Sequence, residues 1–373
     1  MSIIPYEPKQ IEYEVNTKNG KKYSYSANDQ SLLDAFIIRF LVQPVLKLIP
    51  YHLPANIITI VSNSLVFLAY VIAMQSTRGK YTFWFAIPIL ILLYIIGDCA
   101  DGEQARRTKT GSPLGEFLDH FLDCFVTGEL IISLLVVYNI KNAIIVMLSL
   151  TLAYLVQAAA FWERYKSGQM HFSRFSSTEA IIGLTTLITL GASEKIRSLA
   201  AIVLIEKVPL FESLFPDMAG STGLTLAEAL ILVFSVFASL NIVLTLVRTK
   251  GISVRFLCYI ILSFVVAAIS SVMHEDSLHL PYLTIALFNI HYISTLLSSI
   301  VTKTKDHWPD FFLAIFMSIM FLLRIQNEVL IAFYFLYVLV SVGIRASWFF
   351  VQNRQYWLWK NPDPEEKTDS QKD

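Results

Sequence analysis

The chain has 373 residues, 55% of them hydrophobic and 16% charged, and its 29 Lys plus Arg residues balance 29 Asp plus Glu. A mean hydropathy of +0.57 exceeds what a soluble surface tolerates, so the chain belongs in a bilayer. Zero net charge removes the basic face that nucleic acid requires, and the three cysteines, with no CxxC pair, give no disulfide framework.

Residues 1–31 are polar and lack the basic-then-apolar start of a cleavable signal, so the membrane helices are expected to direct their own insertion. Residues 31–50 mix Leu, Ile, Phe and Val with Asp34, Arg39 and Lys47, the pattern of an amphipathic helix lying in the interface. A bilayer span takes about 20 apolar residues, because lipid offers the backbone no hydrogen-bond partners. Ten segments qualify, near 56–76, 81–106, 113–138, 141–162, 177–193, 224–247, 252–273, 280–302, 307–326 and 329–351. The expected fold is therefore an all-α polytopic membrane protein of about ten transmembrane helices behind an N-terminal amphipathic interfacial helix. Three regions follow: a cytoplasmic N-terminus over 1–50, a membrane domain over 51–355 and a tail over 356–373. Residues 194–223 read as a loop holding an interfacial helix, and the charged stretch after Lys360 reads as disordered.

Lys and Arg favour the cytoplasmic side of short loops. Arg106, Arg107, Lys109, Arg164, Lys166, Arg174, Arg248, Lys250, Arg255, Lys303 and Lys305 fall on one side, which places both termini and residues 98–123 toward the cytoplasm.

The informative segment is GDCADGEQARRTKTGSPLGEFLDHFLDCF, residues 97–125, where four aspartates interrupt apolar helices. An Asp at a helix centre in a membrane costs about 2.5–3.5 kcal/mol on insertion scales, so such residues mark functional sites. Asp98, Asp101, Gly102 and Ala105 recur at i, i+3, i+4 and i+7, and Gly115, Asp119 and Asp123 at i, i+4 and i+8, one stripe on each of two helices. Gly111 can end the first helix and Pro113 can open the second, making an antiparallel hairpin. Facing stripes then offer carboxylate oxygens to a hard cation such as Mg²⁺ or Mn²⁺. Gly102, Ala105 and Gly115 leave room for a bulky substrate, and Arg106 can grip a phosphate bidentately. Arg107 either assists or faces lipid headgroups.

Other residues admit two readings. Asn56, two residues after Pro54, is an N-cap or a substrate contact. Glu116, one turn before His120, either orients that imidazole or contacts substrate. Glu179 stands at capping-box spacing from Ser176, and Trp162 suits an interface belt. His52, His171, His274, His279, His291 and His307 show no zinc spacing on one helix, and His291 reads as a satisfied core histidine.

Together these residues spell D-x2-D-G-x2-A-R-x8-G-x3-D-x3-D, and the segment resembles the signature of the CDP-alcohol phosphotransferases at every fixed position: Asp98, Asp101, Gly102, Ala105, Arg106, Gly115, Asp119 and Asp123. QARRT, SPLGEFLDH, WERYKSG and STEA are similar to the choline and ethanolamine phosphotransferase branch, with weaker echoes in PANIIT and HYISTLLSSIVTKTK. Phe121 and Leu122 stand where that branch has Gly-Cys.

The resemblance implies a phosphoalcohol, phosphocholine or phosphoethanolamine in type, moving from a CDP-alcohol to the hydroxyl of a diacylglycerol-like lipid, with CMP released. It implies two divalent cations and, for the proton, His120 or Asp123 as base, His120 being favoured because its ordinary pKa of about 6.5 suits neutral pH. Asp98, Asp101, Asp119 and Asp123 would ligate metal, and Asn56, Gly102, Ala105, Arg106, Gly115 and Glu116 would contact the CDP-alcohol. The active site would face the cytoplasm from a bacterial inner membrane, endoplasmic reticulum or Golgi, with a homodimer left open. The runner-up uses CDP-diacylglycerol and a soluble alcohol. A cation transporter, whose intramembrane aspartates line an ion path, is the rival from another class.

Overall fold

The computed structural model describes residues 9–16, 22–29, 32–108, 110–172, 177–205, 224–272, 279–323 and 328–352. The tail expected to be disordered and Ser176 lie outside the described residues.

The segment expected to be an interfacial helix is helical, as α1 (Leu32–Ile37) and α2 (Gln43–Leu48) joined by a π turn over Ile38–Val42. Ile37, Val42 and Leu46 are buried while Phe36, Phe40 and Leu48 are exposed, the two-sided pattern of a helix lying on a membrane surface.

Ten helices then occupy the ten predicted segments: α3 (Ala55–Met74), α4 (Ala86–Thr108), α5 (Pro113–Val137), α6 (Ala143–Ser167), α7 (Ser177–Leu190), α9 (Leu226–Arg248), α10 (Val254–Val272), α11 (His279–Thr302), α12 (Phe311–Leu322) and α13 (Glu328–Gln352). By length and composition α3, α5, α6, α9 and α11 can cross a membrane, and α7, α10, α12 and α13 carry shorter apolar stretches. The chain is an integral membrane protein. The short helix α8 (Glu194–Ala200) lies in the predicted loop, which continues as an extended β4 (Val203–Ile205).

Five short strands accompany this helical body among the described residues. β1 (Lys9–Asn16) and β2 (Lys22–Asp29) form an antiparallel hairpin from Lys9↔Asp29 to Asn16↔Lys22. β2 pairs in parallel with β3 (Met170–Phe172), which follows α6, and β4 pairs with β5 (Leu224–Thr225).

α11 is buried along most of its length, with α5, α6, α10 and α13 packed on it, whereas α9 turns Val236 and Phe237 outward. The polar side chain of Asn289 sits at the centre of this packing and is fully answered there. Its Oδ1 accepts from Tyr259 Oη and Ser263 Oγ, both at 2.7 Å, and its Nδ2 donates to the Ile285 carbonyl at 2.8 Å. Trp162 is a correction to the interface-belt reading. It is 1% exposed, stacked between Tyr165 and Phe256, with Nε1 donating to the Gly251 carbonyl, because three neighbouring elements enclose the end of α6. α12 starts at Phe311, later than 307, since Asp310 Oδ1 caps the Leu313 amide at 2.8 Å directly after Pro309. The preceding segment is extended, with Asp306 fastened by Ser253, Arg255 and Tyr165.

Two details seat the α3–α4–α5 unit. A Cβ on Gly97 would lie 2.6 Å from Ser62 Cβ, so glycine there allows α3 and α4 their close approach. α5 opens as the sequence indicates, with Ser112 Oγ accepting the Gly115 amide at 3.1 Å and Pro113 in the first turn.

Candidate active site

The hairpin of α4 and α5 sets the two acidic stripes face to face. Asp98, Asp119 and Asp123 each place a carboxylate oxygen within 4.8 Å of the others. Asp101 stands apart from this group: its Oδ2 accepts from Thr59 Oγ1 of α3 at 2.5 Å. The predicted four-carboxylate cage is thus, in geometry, three clustered carboxylates and a fourth restrained by a hydroxyl.

Asp119 Oδ1 is buried with no hydrogen-bond partner among the described residues. Three adjoining carboxylates with an unmet buried oxygen are costly alone, since like charges repel and an unanswered acceptor loses its hydration. All the donors are hard oxygens. The residues present therefore fit a hard divalent cation.

A cavity of about 170 Å³ opens beside the cluster and is walled by Asn56, Thr59, Asp101, Gly102, Ala105, Arg106, Gly115, Glu116, Asp119 and His120, with the α4–α5 link closing one side. Asn56 lies inside the first turn of α3, whose N-cap is Pro54, so it does not cap that helix. A Cβ on Gly115 would stand 3.1 Å from Asn56 Oδ1, so the missing side chain lets the asparagine reach across. A Cβ on Gly102 would stand 3.5 Å from the Arg106 guanidinium nitrogens, and Arg106 Nη2 donates to Glu103 Oε1 at 2.9 Å.

His120 is 9% exposed, with Nδ1 3.8 Å from both Asp119 Oδ2 and Asp123 Oδ2. Its ring tilts against Phe161 of α6, and its Nε2 is buried without a hydrogen-bond partner. Although one residue off the aspartate stripe, the imidazole is folded back toward the carboxylates. Glu116 forms an ion pair with Arg164 of α6, both side chains almost wholly buried.

Arg107 takes neither role offered for it. Its guanidinium donates to the Leu46 and Ile49 carbonyls at 2.6 and 2.7 Å and to Gln104 Oε1 at 2.6 Å, and Gln104 Nε2 in turn donates to the Leu53 carbonyl at 2.6 Å. Glu179 receives the Leu33 amide at 3.2 Å and so steadies the start of α1. Sequence reasoning missed Thr59, Tyr94 and Arg164. Thr59 follows Asn56 by one helical turn and Tyr94 precedes Asp98 by one, so extending each stripe finds both; nothing local announces Arg164.

Residues 52–211 match the family model described as CDP-alcohol phosphatidyltransferase. This stretch is similar to the domains of that family. The matched stretch covers α3 to α8 and includes every residue of the cluster and cavity. Among its relatives, an uncharacterized class-I family protein of Schizosaccharomyces pombe is 31% identical over 185 residues, 47% of each chain. Cholinephosphotransferase 1 of Gallus gallus is 27% identical over 194 residues, 50% of this chain and 56% of that one. Ethanolaminephosphotransferase 1 of Homo sapiens is 26% identical over 162 residues, 39% of this chain and 41% of that one. The chain spans about half the length of the relatives it matches.

Proposed function

We propose that the protein transfers a phosphoalcohol, of the phosphocholine or phosphoethanolamine type, from a CDP-alcohol to the hydroxyl of diacylglycerol and releases CMP. The observation that carries this reading is the cluster of Asp98, Asp119 and Asp123, whose Asp119 lines, with Asp101, a cavity that also holds Arg106 and His120. The names of the chicken and human relatives support the same class of chemistry.

Asp98, Asp119 and Asp123 would hold the divalent cation, Mg²⁺ or Mn²⁺, with Asp101 available beside them. When bound, the cation supplies positive charge to the pyrophosphate and its leaving oxygen. The remaining work falls to this chain's own groups. Arg106 shares the pyrophosphate charge by turning from Glu103, and Gly102 and Gly115 let the nucleotide approach the helix backbones. Asn56 offers its amide to the same ligand. Glu116, already committed to Arg164, keeps α5 and α6 in register beneath the substrate. The lipid hydroxyl loses its proton to His120 Nε2, its oxygen bonds to the β-phosphorus, and the bond from that phosphorus to the bridging oxygen breaks. CMP leaves with that oxygen. His120 is the better proton acceptor, because Asp123 is engaged with Tyr94 and the cluster. The excess of Arg and Lys in the loops at this end of the helices, Arg106, Arg107, Arg164 and Lys166 among them, supports a cavity that faces the cytoplasm.

The purified protein supplied in turn with CDP-choline, CDP-ethanolamine and CDP-diacylglycerol, and the matching acceptor, is expected to yield CMP and a phosphodiester lipid from the first or second donor. Product from CDP-diacylglycerol alone would assign the runner-up reaction, and cation flux without CMP release would assign a transporter.

A further inference from the structure

The metal-site aspartates differ in what holds them. Asp101 is restrained by Thr59, and Asp119 Oδ1 has no hydrogen-bond partner among the described residues. Asp123 is restrained from the opposite helix: Tyr94 Oη of α4 donates to its Oδ1 at 3.1 Å. Tyr94 is 2% exposed and stands one helical turn before Asp98, so it extends the α4 stripe deeper into the membrane. A neutral phenol beside a carboxylate acts as a donor. The oxygen left over, Oδ2, is the one 3.8 Å from His120 Nδ1.

We propose that Tyr94 is a positioning residue of the metal site: its hydroxyl engages Asp123 Oδ1 across the α4–α5 hairpin, fixing the carboxylate plane so that Oδ2 is presented to the cation. The proposal rests on reading Asp98, Asp119 and Asp123 as cation ligands. Without the hydroxyl, Asp123 turns freely about its last torsion, and one of three ligands is no longer preset. Groups that hydrogen-bond to metal ligands typically govern metal affinity by 10–100-fold, which makes this bond large enough to measure.

The test is Mn²⁺ binding by electron paramagnetic resonance on the full chain in lipid nanodiscs, for the wild type, Tyr94→Phe, Asp123→Asn and the double variant. Tyr94→Phe is expected to raise the half-saturating Mn²⁺ concentration by roughly 10–100-fold, while the KM for CDP-choline at saturating Mn²⁺ stays near the wild-type value. Because Tyr94 acts through Asp123, the double variant is expected to bind Mn²⁺ no more weakly than Asp123→Asn alone. Unchanged Mn²⁺ affinity in Tyr94→Phe overturns the proposal, as does a further loss in the double variant. A wild type that binds no Mn²⁺ overturns the metal reading itself, an outcome distinct from failure of the tyrosine step.

Discussion

Two of the places where this bundle buries polar groups differ in completeness. Around Asn289, the side-chain oxygen has two hydroxyl donors and its amide nitrogen a carbonyl. Around Asp119, an oxygen of that carboxylate and the Nε2 of neighbouring His120 meet no hydrogen-bond partner among the described residues. In a medium without water to compensate, a satisfied group rigidifies the fold. An unsatisfied group beside like charges raises the energy of the empty site, and a ligand that answers it recovers that energy on binding. The first arrangement holds helices together; the second is built to be completed from outside.

Three substitutions sharpen that contrast. Asp119→Asn is expected to abolish metal-dependent CMP release while leaving thermal stability unchanged or higher, because one of three mutually repelling carboxylates is removed; metal titrations of activity alongside melting curves check both halves. His120→Ala is expected to lower turnover by about 10²–10⁴-fold, the usual contribution of a positioned proton acceptor, with CDP-choline binding retained in a calorimetric titration. Near-normal turnover would remove His120 from the base role. Asn289→Ala is expected to act the other way round. It strands the Tyr259 and Ser263 hydroxyls at a cost of about 1–3 kcal/mol each, seen as a lower Tm, while turnover per folded molecule changes little. A loss of turnover without a loss of stability would break the division between the two regions.

Much of the site was legible because helical spacing is a local property. The positions of Asp98, Asp119 and Asp123 and the link at Gly111 to Pro113 follow from periodicity along two adjacent segments. What escaped was set by residues remote in sequence. Asp101 leaves the cluster because Thr59 arrives from α3, Arg107 turns away because the end of α2 presents free carbonyls, and Glu116 is claimed by Arg164 from α6. Trp162 was misplaced because an aromatic near a helix end looks the same whether lipid or protein surrounds it. The N-terminal hairpin was legible and overlooked: Ile11, Tyr13 and Val15 alternate with polar residues, Tyr23 and Tyr25 do the same, and Asn19-Gly20 lies between them. The late start of α12 was also written in the sequence, in Pro309 followed by a capping Asp310.

The bonds from Arg107 and Gln104 to the carbonyls around residues 46–53 act as a depth gauge. They fasten the last turn of α4 to a helix floating at the membrane surface, and Asp98 lies nine residues before Arg107 on that same helix. At a rise of 1.5 Å per residue, Asp98, the clustered aspartate of α4, is held about 13–14 Å below the clamp. The distance is measured from one face of the bilayer only. A change in membrane thickness is therefore expected to be taken up at the far ends of the helices, leaving the depth of Asp98 below the clamp constant.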